Sequence, residues 1–112
     1  QMTIVQLCEQ LGAALMIRIQ YPRNEFETCA GTHTCYLDPE RCAVFIDGKR
    51  SLPGFPFGIG WNEREAMTDL VAGLLELRKP HGKAPVHSIV IRCRSLYDNQ
   101  IREIPIPADL TA

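Results

Sequence analysis

Cys29, His33, Cys35 and Cys42 fall within 14 residues and bring together the soft sulfur and imidazole donors that suit zinc. Their spacing, C-x3-H-x-C-x6-C, is not that of a zinc knuckle. On a strand His33 and Cys35 would share a face that Cys42 need not join, so the competing expectation is a set of partly buried thiols filling a core. His33, within "AGTHTCYL", also has the acid–base chemistry to work near neutral pH. As a turn residue it would do none. A third motif is "FGIGWNEREAMTDL", where Gly58 and Gly60 precede a helix. A dinucleotide fingerprint would need a further glycine where Glu63 stands, and a P-loop would need a lysine that is absent there. Glu63 and Glu65 meet the positive end of the helix dipole, so the expected role of the glycines is a tight turn into the helix rather than a phosphate cradle.

Charge and composition narrow the classes further. The 112 residues carry a formal net charge of -1, with 46% apolar and 22% charged residues, so no global positive field draws the chain to a polyanion. A chain of this length buries roughly two-thirds of its unfolded surface without a metal or disulfide to hold it. No apolar run approaches the ~20 residues that span a bilayer, and the N-terminal "TIVQLCEQLGAALMI" is too polar for a signal-peptide core. Gln1 ahead of Met2 suggests a cloning remnant. Cys8, Cys29, Cys35, Cys42 and Cys93 are odd in number and lack a CxxC pair, which favours reduced thiols and a cytoplasmic, soluble protein without a cofactor.

The elements that would position these residues follow from capping and periodicity. Thr3 with Gln6 forms a capping box, Ile4, Leu7, Cys8 and Leu11 recur at helical spacing, and Gly12 offers a C-cap, predicting a helix over 3–11. "AALMIRIQY" alternates from Met16 onward and predicts a strand ending at Pro22. "FETC", "HTCYL" and "CAVFID" predict a β-meander joined by "AGT" and "LDPER", and Asp47-Gly48 closes its last strand. The Gly- and Pro-rich stretch over 48–60 predicts an irregular loop.

Asn62 as N-cap, with Glu65 at N3 to close a box and Trp61 and Ala66 as a staple, starts a helix reaching Arg78. Met67, Leu70, Val71, Leu74 and Leu75 form its buried stripe, and Pro80 with Gly82 ends it. "VHSIVIRCR" alternates, placing His87, Ile89, Ile91 and Cys93 on an inner face. Residues 95–112 form an extended tail whose spaced prolines allow only an edge or a partner subunit as support. The expected fold is α+β, in the order α-β-β-β-(β)-α-β. One antiparallel sheet of four to five strands with two helices on one face accounts for 1–112 as a single domain.

The segment "GWNEREAMTDL" resembles the glycine, polar cap, Glu-Ala and leucine pattern of HicB-type antitoxins. It is also similar to the second helix of double-stranded RNA-binding domains, with Ala66 six residues after Gly60. Where those RNA-binding domains place phosphate-gripping lysines this chain has Glu63 and Arg64, so the resemblance implies the shared fold group and not RNA binding. The antitoxin resemblance implies a non-enzymatic module that binds a protein partner such as a toxin, or a small inhibitor. "GTHTCY" in turn resembles the Gly-Ser-His segment of HicA-type ribonucleases, with Thr32 in place of serine, and by that alternative His33 is catalytic. Candidate partner contacts are Phe55, Phe57 and Trp61, with Leu52 nearby. Arg18, Arg92 and Arg94 would add a local basic face, able to meet nucleic acid, if their strands are neighbours. A homodimer through the tail or an edge strand is also expected.

Overall fold

The computed structural model describes residues 1–21, 32–50, 56–79 and 88–112. Its elements are α1 (Ile4–Leu11), β1 (Leu15–Gln20), β2 (Thr32–Leu37), β3 (Cys42–Ile46), β4 (Lys49–Arg50), β5 (Phe57–Gly60), α2 (Glu63–Glu76), β6 (Ile89–Arg94) and β7 (Ile101–Pro105). The fold is α+β, with every strand pairing antiparallel. The strands form two sheets rather than one, in the orders β1-β2-β5 and β4-β3-β6-β7. Each sheet has its own helix: α2 packs on β5 and β2, and α1 lies against β6 and β7.

The split occurs at "LDPER". Asp38 accepts at its carbonyl from the N–H groups of Arg41 and Cys42, at 3.1 and 2.9 Å, and its carboxylate accepts from Glu40 N–H at 3.0 Å. This turn carries the chain out of the first sheet at Leu37 and into the second at Cys42. Strands β2 and β3 are therefore not hairpin partners, and no meander links them. The partner of β3 is β6, with Cys42 opposite Cys93 and Val44 opposite Ile91.

Local signals place the rest. The Thr3 hydroxyl accepts from Gln6 N–H at 3.1 Å and the Gln6 side chain accepts from Thr3 N–H at 2.9 Å, closing the box at the start of α1. Gly12 ends that helix at φ 67°, and a Cβ there would come within 2.0 Å of Ser95 Oγ, so the glycine is needed for both conformation and space. Asp47 and Gly48 have φ of 49° and 80°. They form the two-residue turn of a β3–β4 hairpin, the pattern expected of Asp-Gly between paired strands. The stretch 48–60 is thus not wholly irregular, since β4 and β5 both lie in it.

The C-terminal segment forms β7 on the outer side of β6, with Pro105 at its last position. Beyond it Ile106 and Leu110 are buried, and Thr111 bridges to Thr3, whose neighbour Ile4 donates its N–H to the Thr111 carbonyl at 2.8 Å. One cluster of buried side chains, including Leu7, Leu11, Leu37, Leu70, Leu74 and Ile91, draws on both helices and both sheets. No helix among the described residues is long and apolar enough to cross a membrane. The expected strand "FETC", the "AGT" turn and the stops at Pro22, Pro80 and Gly82 lie outside the described residues.

Candidate functional site

The glycine pair stands within β5, and its bare faces press on α2. A Cβ on Gly58 would lie 2.0 Å from the Ala66 carbonyl oxygen and 2.2 Å from Leu70 N; one on Gly60 would lie 2.4 Å from Glu65 Cβ and 2.6 Å from Ala66 N. The helix backbone therefore sits almost directly on the strand backbone, which only glycine permits. The pair serves this close approach rather than a loop.

Three N–H groups around the helix start are already used. Asn62 Oδ1 accepts from Glu65 N–H at 2.9 Å, the Glu65 carboxylate from Trp61 N–H at 2.8 Å, and the Asp69 carboxylate from Ile59 N–H at 2.8 Å. Glu65 thus bonds one residue before the cap instead of closing a box on Asn62 itself. With three carboxylates at this end of the helix, Glu63, Glu65 and Asp69, bound phosphate would meet like charge.

The opposite face of the same sheet is apolar and open. Alternation along β2 turns Cys35 and Leu37, both fully buried, toward α2 and the core, and turns Thr34 and Tyr36 outward. Register then aligns Met16, Tyr36 and Phe57 in one outward row and Arg18, Thr34 and Ile59 in the next. Phe57 is 57% exposed, Ile59 49% and Met16 37%. A shallow cavity of about 390 Å³ opens here, lined by Gln20, Thr34, Tyr36, Pro39, Phe57 and Ile59 among others. Trp61, next in the alternation after Phe57 and Ile59, is 65% exposed, so it does not staple onto the buried Ala66.

The other candidate residues do not converge on this face as a group. Arg18 lies on it, but Arg92 and Arg94 are on β6 of the second sheet, so the three do not form one basic face. Arg92 is engaged locally, 3.2 Å from the Glu103 carboxylate and 3.9 Å over the Phe45 ring. Phe55, Leu52, Cys29 and His87 lie outside the described residues. His33 is half-buried on the helix side of β2, between Ile19 of β1 and Gly60 of β5. It does not line the apolar cavity.

Cys35 and Cys42, the remaining members of the metal set, belong to different sheets. Among the described residues no three His, Cys, Asp or Glu side chains are grouped so as to hold a metal ion. Cys42 instead places its Sγ 2.7 Å from that of Cys93, and Cys8, Cys35, Cys42 and Cys93 are all buried and unoxidised. Burial pushes the Cys35 thiol up to about 11, aided by the charge of Glu63, and the Cys8 thiol up to about 12, aided by Cys35 and Cys93. Cys42 is raised by burial and by its contact with Cys93. Protonated thiols of this kind are core side chains, not nucleophiles.

Met16, Tyr36, Ile59 and Asp69 are the site residues that sequence reasoning passed over. The period-two pattern of "FGIG" was the available signal, since it puts Phe57 and Ile59 on one face once a strand is assumed. No protein-family model matches this chain, and no curated protein or solved structure matches it.

Proposed function

We propose that this chain is a non-enzymatic protein-binding module that acts through the outer face of β1, β2 and β5, and that its concrete form is an antitoxin or a comparable small inhibitor. The observation that carries this reading is the open apolar depression lined by Tyr36, Phe57 and Ile59, with Met16 in the same outward row as Tyr36 and Phe57. Exposed apolar patches of this kind are contact surfaces, and aromatic side chains supply most of the affinity at such places. Gln20 and Thr34 give the depression a polar margin able to orient an inserted apolar side chain. The resemblance of Gly58 to Leu77 to the antitoxin helix start supports the same class.

The test is affinity capture from an extract of the native host, comparing the unaltered chain with a Phe57→Ser, Ile59→Ser double variant. Both side chains are about half exposed, so the variant should stay folded. A specific protein retained by the unaltered chain and lost by at least tenfold from the variant is the expected result. Equal retention by both, or retention by neither, would sink the reading.

A further inference from the structure

Two sheets have four edges, and three of them carry groups that discourage a further strand. Along β5 the outward N–H groups of Ile59 and Trp61 are taken by the carboxylates of Asp69 and Glu65. The β4 edge is only Lys49 and Arg50, both exposed and charged. The β7 edge carries the charged Arg102 and Glu103 and ends in Pro105, which has no N–H. Short length, charge, proline and covering groups are the devices that stop sheets from adding further strands. On β1 none of them is present among the described residues: it has six residues, no proline and one charge, Arg18.

The direction of its free groups follows from the neighbouring pairings. Because Ile59 and Trp61 donate outward, Gly58 and Gly60 bond with Cys35 and His33. Strand β2 therefore turns Thr32, Thr34 and Tyr36 to β1, where Gln20, Arg18 and Met16 answer them. This leaves the backbone of Leu15, Ile17 and Ile19 directed away from β2, where no described strand lies. Their side chains extend the helix-side apolar surface to the edge of the sheet, with Leu15 and Ile17 half-buried and Ile19 41% exposed.

We propose that two copies of the chain pair antiparallel through β1, with Ile17 opposite Ile17 of the partner subunit, joining two three-stranded sheets into one of six. The strand is complementary to itself in this register. Ile17 meets its equivalent and Leu15 meets Ile19 of the partner subunit, each pair exchanging both N–H···O=C bonds and continuing the apolar inner surface. On the outer face Arg18 stands across from Met16 of the partner subunit. Centring the pair on Arg18 instead would set like charges directly opposite each other, and centring it on Met16 would put Ile19 against Ala13 and shorten the ladder. With a net charge of -1 per chain, two copies approach without appreciable repulsion. The apolar outer face stays open and is doubled, independently of what it binds.

Sedimentation of the whole chain over a dilution series tests this. The unaltered protein should show twice 12.6 kDa and dissociate on dilution. Ile17→Pro removes an N–H that faces no strand among the described residues, so it should leave the fold intact and give the single-chain mass. Ile19→Lys, at an exposed position, should do the same. Ile17→Cys should cross-link to its equivalent under a mild thiol oxidant, because facing residues about 5.5 Å apart at Cα suit a disulfide. A single-chain mass throughout overturns the proposal, and so does a dimer that persists unchanged in the folded Ile17→Pro and Ile19→Lys variants.

Discussion

Replacing Gly58 with alanine adds one methyl group where the backbone of α2 sits directly on β5. That methyl would stand 2.0 Å from the Ala66 carbonyl oxygen and 2.2 Å from Leu70 N, where ordinary contact begins at about 3.4 Å. Both obstacles are backbone, so no side-chain rotation relieves them. The helix must withdraw by more than an ångström, and Ala66 and Leu70, both fully buried, withdraw with it. Overpacking of this kind costs about 1–3 kcal/mol, and the unyielding obstacle puts Gly58→Ala at the upper end. The stiffer unfolded chain returns roughly 0.5–1 kcal/mol. A net loss of about 2 kcal/mol lowers Tm by about 8 °C in a chain of this length. Gly73→Ala is the matched control, because Gly73 lies within α2 and its nearest atom, Pro56 Cβ, is 3.9 Å away. There alanine gains helix propensity without a clash, and Tm should rise by about 2–4 °C. Thermal unfolding followed by circular dichroism reads both. A Gly58→Ala protein melting within about 2 °C of the unaltered chain would refute the packing argument.

Two further predictions concern the β5 edge and the buried thiols. Asp69→Ala removes the carboxylate that holds Ile59 N–H, and exchange of that amide should quicken by about tenfold, the equivalent of 1.4 kcal/mol for a charge-assisted bond; an unchanged rate would show the edge is not closed by Asp69. Cys8 and Cys35 ionise near 12 and 11 in the folded chain against 9.0 when exposed. Below pH 9 both states keep these protons, and above it the unfolded chain releases protons that the folded chain retains, so stability falls as pH rises from about 9. Urea unfolding at a series of alkaline pH values should show this decline, and a Cys8→Ala, Cys35→Ala variant should show a flatter one; an identical slope would exclude these thiols as its source.

The parts of the fold that were legible before the structure are those specified by short-range chemistry. Thr3 with Gln6, Gly12 in its left-handed turn and Asn62 before Glu65 are local instructions, and α1 and α2 begin and end close to where they direct. Strands β1, β2, β3 and β6 were legible from alternation, but not which strand each would join. "LDPER" serves equally well as a hairpin or as a passage between sheets, and the choice rests on Cys42 meeting Cys93 rather than Leu37, a contact 51 residues apart in the chain. That non-local choice also separates Arg18 from Arg92 and Arg94. Residue type alone could not have shown it, because Arg18 and Arg92 alternate with apolar neighbours in the same way.

The glycines show the same limit at closer range. A missing side chain signals either freedom or crowding, and only the neighbour decides between them. At Gly58 and Gly60 the neighbour is the backbone of α2, and this contact brings the first turns of the helix against the free edge of β5. The acidic residues that disqualify the site for phosphate are thereby carried to Ile59 and Trp61, whose N–H groups they occupy. One arrangement thus removes an anion site and closes a sheet edge. It also turns Phe57 and Ile59 away from both described helices, because α2 occupies the glycine side of β5 and the alternation must send these side chains the other way. The apolar outer face follows from how tightly the helix is seated on the inner one.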